Sequence, residues 1–133
     1  MNGVIDNIDV RAVGKDRWQL LDDFEWYGIV VPKDFQTDFG SIPPFARPFI
    51  NPVGQLRPGY LVHDWLYNIR GVLKEPVKRN GAVLKTFTRK QCDQELRVIA
   101  VTIDYNRLKT DLVYRAVRVG GGRYWDKAKQ TKA

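Results

Sequence analysis

Proline places the tightest constraint on this sequence. Of the seven prolines in the chain, Pro32, Pro43, Pro44, Pro48, Pro52 and Pro58 fall in one stretch. Each removes a backbone donor, fixes φ and pushes the preceding residue out of helical geometry. Neither a strand ladder nor a long helix can run through residues 32–58, and Gly40 and Gly54 loosen it further. The same stretch carries Phe35, Phe39, Ile42, Phe45, Phe49 and Ile50. It therefore reads as an ordered loop packed against a core, with at most a short helix near Phe45–Ile50. The loop splits the chain into two halves of different texture.

The first half has strand chemistry. Ile8–Val13 alternates, Gly14-Lys15-Asp16 supplies a turn, and Trp18–Leu21 answers it. Phe24–Val31, rich in aromatic and β-branched residues, then completes a meander of three short strands. Helices dominate the second half. Pro58 suits the first turn of a helix ending near Arg70, with Gly71 just beyond it. Thr88-Arg-Lys-Gln91 is a capping box for a helix reaching about Asp104. Asn106 caps a last helix in which Leu108, Leu112, Ala116 and Val119 recur at helical spacing, and Gly120-Gly-Gly122 stops it. Strands first and helices afterward define an α+β fold with an N-terminal antiparallel meander, a Pro-rich loop and about three helices. With 133 residues, one core is expected: a single domain over 1–125 and a basic C-terminal tail over 126–133.

Composition removes several function classes. One cysteine and one histidine exclude both a disulfide framework and a Cys/His zinc tetrad within one chain. No apolar run reaches the roughly 18 residues of a membrane span, and the N-terminus lacks the pattern of a signal peptide. Synthesis in a reducing cytoplasm is expected. The net charge of +7 favours polyanionic partners such as nucleic acid, anionic lipid or an acidic protein. Sequence-specific base reading has little support, because no Arg-rich helix interleaved with aromatics occurs.

One constellation carries chemistry. Tyr60, His63, Asp64 and Tyr67 follow one another at i, i+3, i+4 and i+7, which is one helix face, and His63 is the only histidine. Leu61, Trp65, Leu66 and Ile69 supply packing on the other side. Asp93 opens the next helix, and an antiparallel pairing of the two helices would bring it to His63. A carboxylate on one imidazole nitrogen fixes the tautomer and leaves the other as a general base. Asp64 and Asp38, with carbonyls from the Asp38–Ser41 loop, could hold a hard cation such as calcium. The competing reading is a buried His–Asp pair that only packs. For Thr37–Pro43 the alternatives are a local side-chain turn built by Asp38 and Ser41, or a metal or substrate contact beside His63. A Ser41–His63–Asp93 triad lacks the elbow motif that would support it.

The segments Val31–Pro43, His63-Asp-Trp-Leu-Tyr67, Arg89…Asp93 and Val113–Arg118, in this order, resemble the phage and prophage family catalogued as domain of unknown function 1353. Cys92 and Gly40 stand where that family usually has alanine. The resemblance implies a bacteriophage protein, and with it a small virion-associated tail or capsid component with virion proteins as partners. His63-Asp64-x-x-Tyr67 followed by Cys92-Asp93 also resembles the helical motifs of phospholipase A2 enzymes. That likeness implies His63 as base, Asp93 as orienting carboxylate and Asp64 as calcium ligand, with a lipid or cell-envelope ester as substrate. The disulfides and the glycine-rich calcium loop of the secreted enzymes are missing. Tyr60, Tyr67 and Ser41 then take substrate-binding or structural places.

Overall fold

The computed structural model describes residues 8–14, 17–37 and 55–126. The α+β order expected from the sequence is present. Five short strands, β1 (Val10–Gly14), β2 (Arg17–Leu20), β3 (Phe24–Trp26), β4 (Ile29–Val31) and β5 (Gln36–Thr37), precede helix α1 (Arg57–Asn68). A hairpin of β6 (Val72–Arg79) and β7 (Ala82–Thr86) follows, then α2 (Arg89–Thr102) and α3 (Arg107–Gly120). The expected helix near Phe45–Ile50 and the tail beyond residue 126 lie outside the described residues.

The strands differ from a three-stranded meander in two ways. Phe24–Val31 is a tight hairpin rather than one strand, because Tyr27 (φ 42°) and Gly28 (φ 90°) turn the chain between β3 and β4. That is the left-handed pair a two-residue hairpin loop requires. The partner that completes the first sheet is β5, giving the antiparallel order β1-β2-β5. The second difference is β6–β7, which interrupts the helical half. Its turn is Asn80-Gly81, both at positive φ (52° and 79°). Only Leu73 and Val77 of β6 are buried, and the register shifts between Val72 and Val77, around Pro76. A proline cannot donate to the ladder, so it sits at this irregularity.

The three helices form where the sequence places them. Thr88 Oγ1 accepts from the Gln91 amide at 3.1 Å and the Gln91 side chain accepts from the Thr88 amide at 2.8 Å, closing the capping box. Asn106 Oδ1 accepts from Lys109 N at 2.9 Å and starts α3. After α1, Gly71 adopts φ 74°, and a Cβ there would strike the Phe87 carbonyl, so glycine is required where the chain crosses from α1 into β6. α1 packs on α2 and α2 on α3, while β4 touches both α1 and β6. Trp26, Ile29, Val31, Leu61, Leu66, Leu96, Ile99, Val113 and Val117 meet in one core. On α3 the buried residues are Thr110, Val113, Ala116 and Val117. Of the periodic set read from the sequence, Ala116 faces the core and Leu108, Leu112 and Val119 face outward.

Candidate active site

The site is built where α1 crosses α2. Capping at Thr88 fixes where α2 begins and so the direction in which Asp93 leaves it. His63 Nε2 lies 2.7 Å from Asp93 Oδ1, and both side chains are fully buried. Tyr67, one turn beyond His63, donates its hydroxyl to the same Oδ1 at 2.6 Å. Arg118 Nη1 donates to Oδ2 at 2.6 Å from the last turn of α3. Three donors from α1 and α3 thus converge on one carboxylate of α2. The rings of His63 and Tyr67 stack with centroids 4.3 Å apart, and Trp125 closes edge-on over Tyr67 at 5.3 Å.

These contacts set the protonation states. Burial by itself would raise the Asp93 pKa, but the bonds from His63, Tyr67 and Arg118 and the charge on His63 outweigh it and hold the carboxyl below its ordinary value. Tyr67 is pushed the other way, first by burial and then by the charge and hydrogen bond of Asp93, so it stays a hydroxyl donor. In its neutral form the imidazole keeps its proton on Nε2, pointed at Asp93, and the basic lone pair is on Nδ1. Cys92, buried beside Asp93, has its thiol raised by burial and by the nearby carboxylates, which makes it inert as a nucleophile.

The remaining candidates divide. Asp64 is partly buried and accepts from the Thr37 hydroxyl at 2.6 Å, so the residue preceding Asp38 is tied to α1. Asp38 and Ser41, and with them the proposed loop ligands and the serine triad, lie outside the described residues. Tyr60 is buried; among the described residues its hydroxyl has no hydrogen-bond partner, and its pKa is raised by burial and by Tyr105. Calcium takes six to eight oxygen ligands. Among the described residues there is no group of three or more His, Cys, Asp and Glu that could hold a metal ion.

Sequence reasoning missed the contribution of α3. Arg118 closes the second oxygen of Asp93, and Arg89 Nη2 donates to the carbonyls of Val117 and Arg118, both at 2.8 Å, binding the end of α3 to the start of α2. Gly121 makes this approach possible, since a Cβ there would meet the Val117 carbonyl and come within 2.6 Å of the Tyr67 hydroxyl. No spacing rule links positions 93 and 118. A basic residue in the last turn of a helix is common for reasons of the helix dipole alone.

Neither a curated protein nor a solved structure matches this chain. A family model does, over residues 15–117, which takes in β2 to β7, His63, Asp93 and most of α3. The chain belongs to the family described as protein of unknown function, DUF1353.

Proposed function

We propose that this protein is an ester hydrolase in which His63 is the general base and Asp93 its orienting carboxylate. The observation that carries the proposal is the buried 2.7 Å contact between His63 Nε2 and Asp93, with Tyr67 and Arg118 holding the carboxylate from two other directions. A buried His–Asp pair needed only for packing could be satisfied by fewer bonds. Here the carboxylate is kept ionised and immobile, as an imidazole requires if it is to gain and release a proton.

The step follows from this arrangement. His63 is fully buried in this structure, so the ring must first be uncovered; Nδ1 then takes a proton from water while the water oxygen bonds to the ester carbonyl carbon. The imidazolium so formed is stabilised by Asp93. It returns the proton to the departing alkoxide oxygen as the C–O bond breaks, leaving acid, alcohol and a neutral ring. The His-Asp-x-x-Tyr likeness to phospholipase A2 enzymes favours a lipid or cell-envelope ester. Asp64 is the described side chain that would belong to a cation site, and calorimetric titration with calcium tests it directly. The side chains alone carry the chemistry above.

Release of fatty acid from mixed phospholipid vesicles, with calcium and with chelator, is the assay. Loss of a general base typically costs ~10²–10⁴ in rate. His63→Ala should lose that activity while retaining the helical circular dichroism of the wild type. Absence of turnover by the wild type removes the proposal.

The motif order shared with phage and prophage proteins supports a second element, a place in a virion as a small tail or capsid component. A virion can carry an enzyme, so the two are compatible. Mass spectrometry of gradient-purified particles decides it: fixed stoichiometry supports the virion role, and abundance in lysate with absence from particles rejects it.

A further inference from the structure

α3 has two apolar faces, and among the described residues only one has a partner. Thr110, Val113, Ala116 and Val117 are buried against α2 and the core. On the opposite side Leu108, Leu112, Arg115 and Val119 follow at spacings of four, three and four, which is a single stripe. Leu108 is 81% exposed, Val119 79% and Leu112 41%. Single exposed apolar residues need no explanation, but an aligned set marks a surface with an occupant.

The charges around the stripe say what kind. Arg107, Lys109, Arg115 and Arg123 are exposed on or beside this helix. The acidic residue on the helix itself, Asp111, is paired with Arg97 of α2 at 3.4 Å, and Asp104 and Asp126 are exposed beyond its two ends. The occupant must accept aliphatic side chains at the centre and basic ones around them. A second copy of the chain fits poorly. It would bring the same positive charges together, and four side chains fall far short of the roughly 20–30 residues a side of a stable interface. An anionic bilayer surface meets both demands: leucine and valine enter the acyl boundary while the arginines stay at the head groups.

We propose that the outward face of α3 docks this protein on an anionic lipid bilayer. Attachment is peripheral, because no helix among the described residues is long and apolar enough to cross a membrane. The proposal rests on the hydrolase reading for what the bilayer supplies, a lipid ester, and on α3 for the attachment. The two meet at the end of α3, where Arg118, bonded to Asp93, precedes Val119.

Flotation with vesicles of ether-linked phosphatidylglycerol and phosphatidylcholine tests docking without hydrolysis. The wild type should float with the anionic vesicles, float poorly with phosphatidylcholine alone, and release from the anionic ones as salt rises. Leu108→Gln combined with Val119→Gln should weaken binding at least about tenfold. Arg115→Gln should weaken it about fivefold. Val83→Gln, at a site 63% exposed on β7, should leave it unchanged. Failure of the wild type to bind anionic vesicles overturns the proposal, as does binding indifferent to the double substitution. It is equally overturned by a concentration-dependent dimer in sedimentation that the double substitution abolishes, since a second copy is then the occupant. Binding to ether-linked vesicles without fatty-acid release from ester-linked ones rejects the hydrolase and leaves the docking intact.

Discussion

Two buried carboxylates leave α2 two residues apart, at Asp93 and Glu95, and their partners differ in kind. Glu95 accepts from the Trp26 indole at 2.7 Å and from Arg79 through Nε and Nη2 at 2.9–3.1 Å. Arg79 also donates to the carbonyls of Tyr27 and Lys78. Indole and guanidinium groups are hydrogen-bond donors only, and the cluster ties the β3–β4 turn and the end of β6 to α2. Asp93 shares the burial, and it too has an arginine and an aromatic donor. Its third partner is an imidazole. One titratable ring separates a fastening from the site of the proposed proton transfer.

Removing either carboxylate should give the largest effects on stability. Breaking a buried pair typically costs about 3–5 kcal/mol, because the remaining charge is left buried without a partner. Asp93→Ala removes the acceptor shared by His63, Tyr67 and Arg118, and Glu95→Ala removes the one shared by Arg79 and the Trp26 indole. Urea unfolding should show both losses, with that of Asp93→Ala at least as large. Activity separates them: Glu95→Ala should retain turnover in its folded fraction, and Asp93→Ala should not. Equal loss of specific activity in both would erase the distinction drawn between the clusters.

The positions of these residues show what a sequence can reveal. His63 and Asp93 were legible because each lies on a helix whose start is written locally, by Pro58 and by the Thr88–Gln91 box. The pairing needed only an antiparallel crossing. Glu95 was not, because its partners Trp26 and Arg79 sit on hairpins that local pattern obscures. Phe24–Val31 is apolar enough to pass for one strand, since the turn at Tyr27-Gly28 offers a single glycine. β6 hides behind Pro76 and its lysines, although Asn80-Gly81 is a strong hairpin signal. Periodicity at Leu108, Leu112 and Val119 correctly marks a helix and says nothing about which face is covered.

Acid should act on the Asp93 cluster in a definite direction. The folded carboxyl titrates below its ordinary value of 3.8, so the stability it contributes is complete above 3.8 and is lost as pH falls through the folded value. Asp93→Asn has no such proton to take up. Its stability, lower at neutral pH, should change less steeply below pH 4 than that of the wild type. Parallel acid limbs for the two proteins would show that Asp93 is not held ionised by its partners.

Tyr67 offers a finer cut. Tyr67→Phe removes one of the two donors to Asp93 Oδ1 and leaves the His63 contact in place. A hydrogen bond to a charged group contributes about 1.5–3 kcal/mol, and the ring stack with His63 is preserved. The variant should unfold at lower urea and shift the pH profile of turnover, because the carboxylate is less firmly held. A stability loss with an unchanged pH profile would make Tyr67 a packing residue only.

The smallest expected effect tests whether the helix serves both clusters alike. Thr88 caps α2 through a reciprocal pair of bonds with Gln91, five residues before Asp93 and seven before Glu95. Replacing a threonine cap by alanine typically costs about 1 kcal/mol. Thr88→Ala should therefore lower stability by that amount, frayed over the first turn. It should add to Glu95→Ala, whose partners lie on β3 and β6. With Asp93→Ala it should combine less than additively, because Asp93 is one turn from the cap and Arg89, in that first turn, grips the end of α3 that carries Arg118. A double-mutant cycle measures the difference. Coupling to Asp93 without coupling to Glu95 would show that the start of α2 belongs to the Asp93 cluster, whereas equal coupling to both would make the cap a property of the helix as a whole.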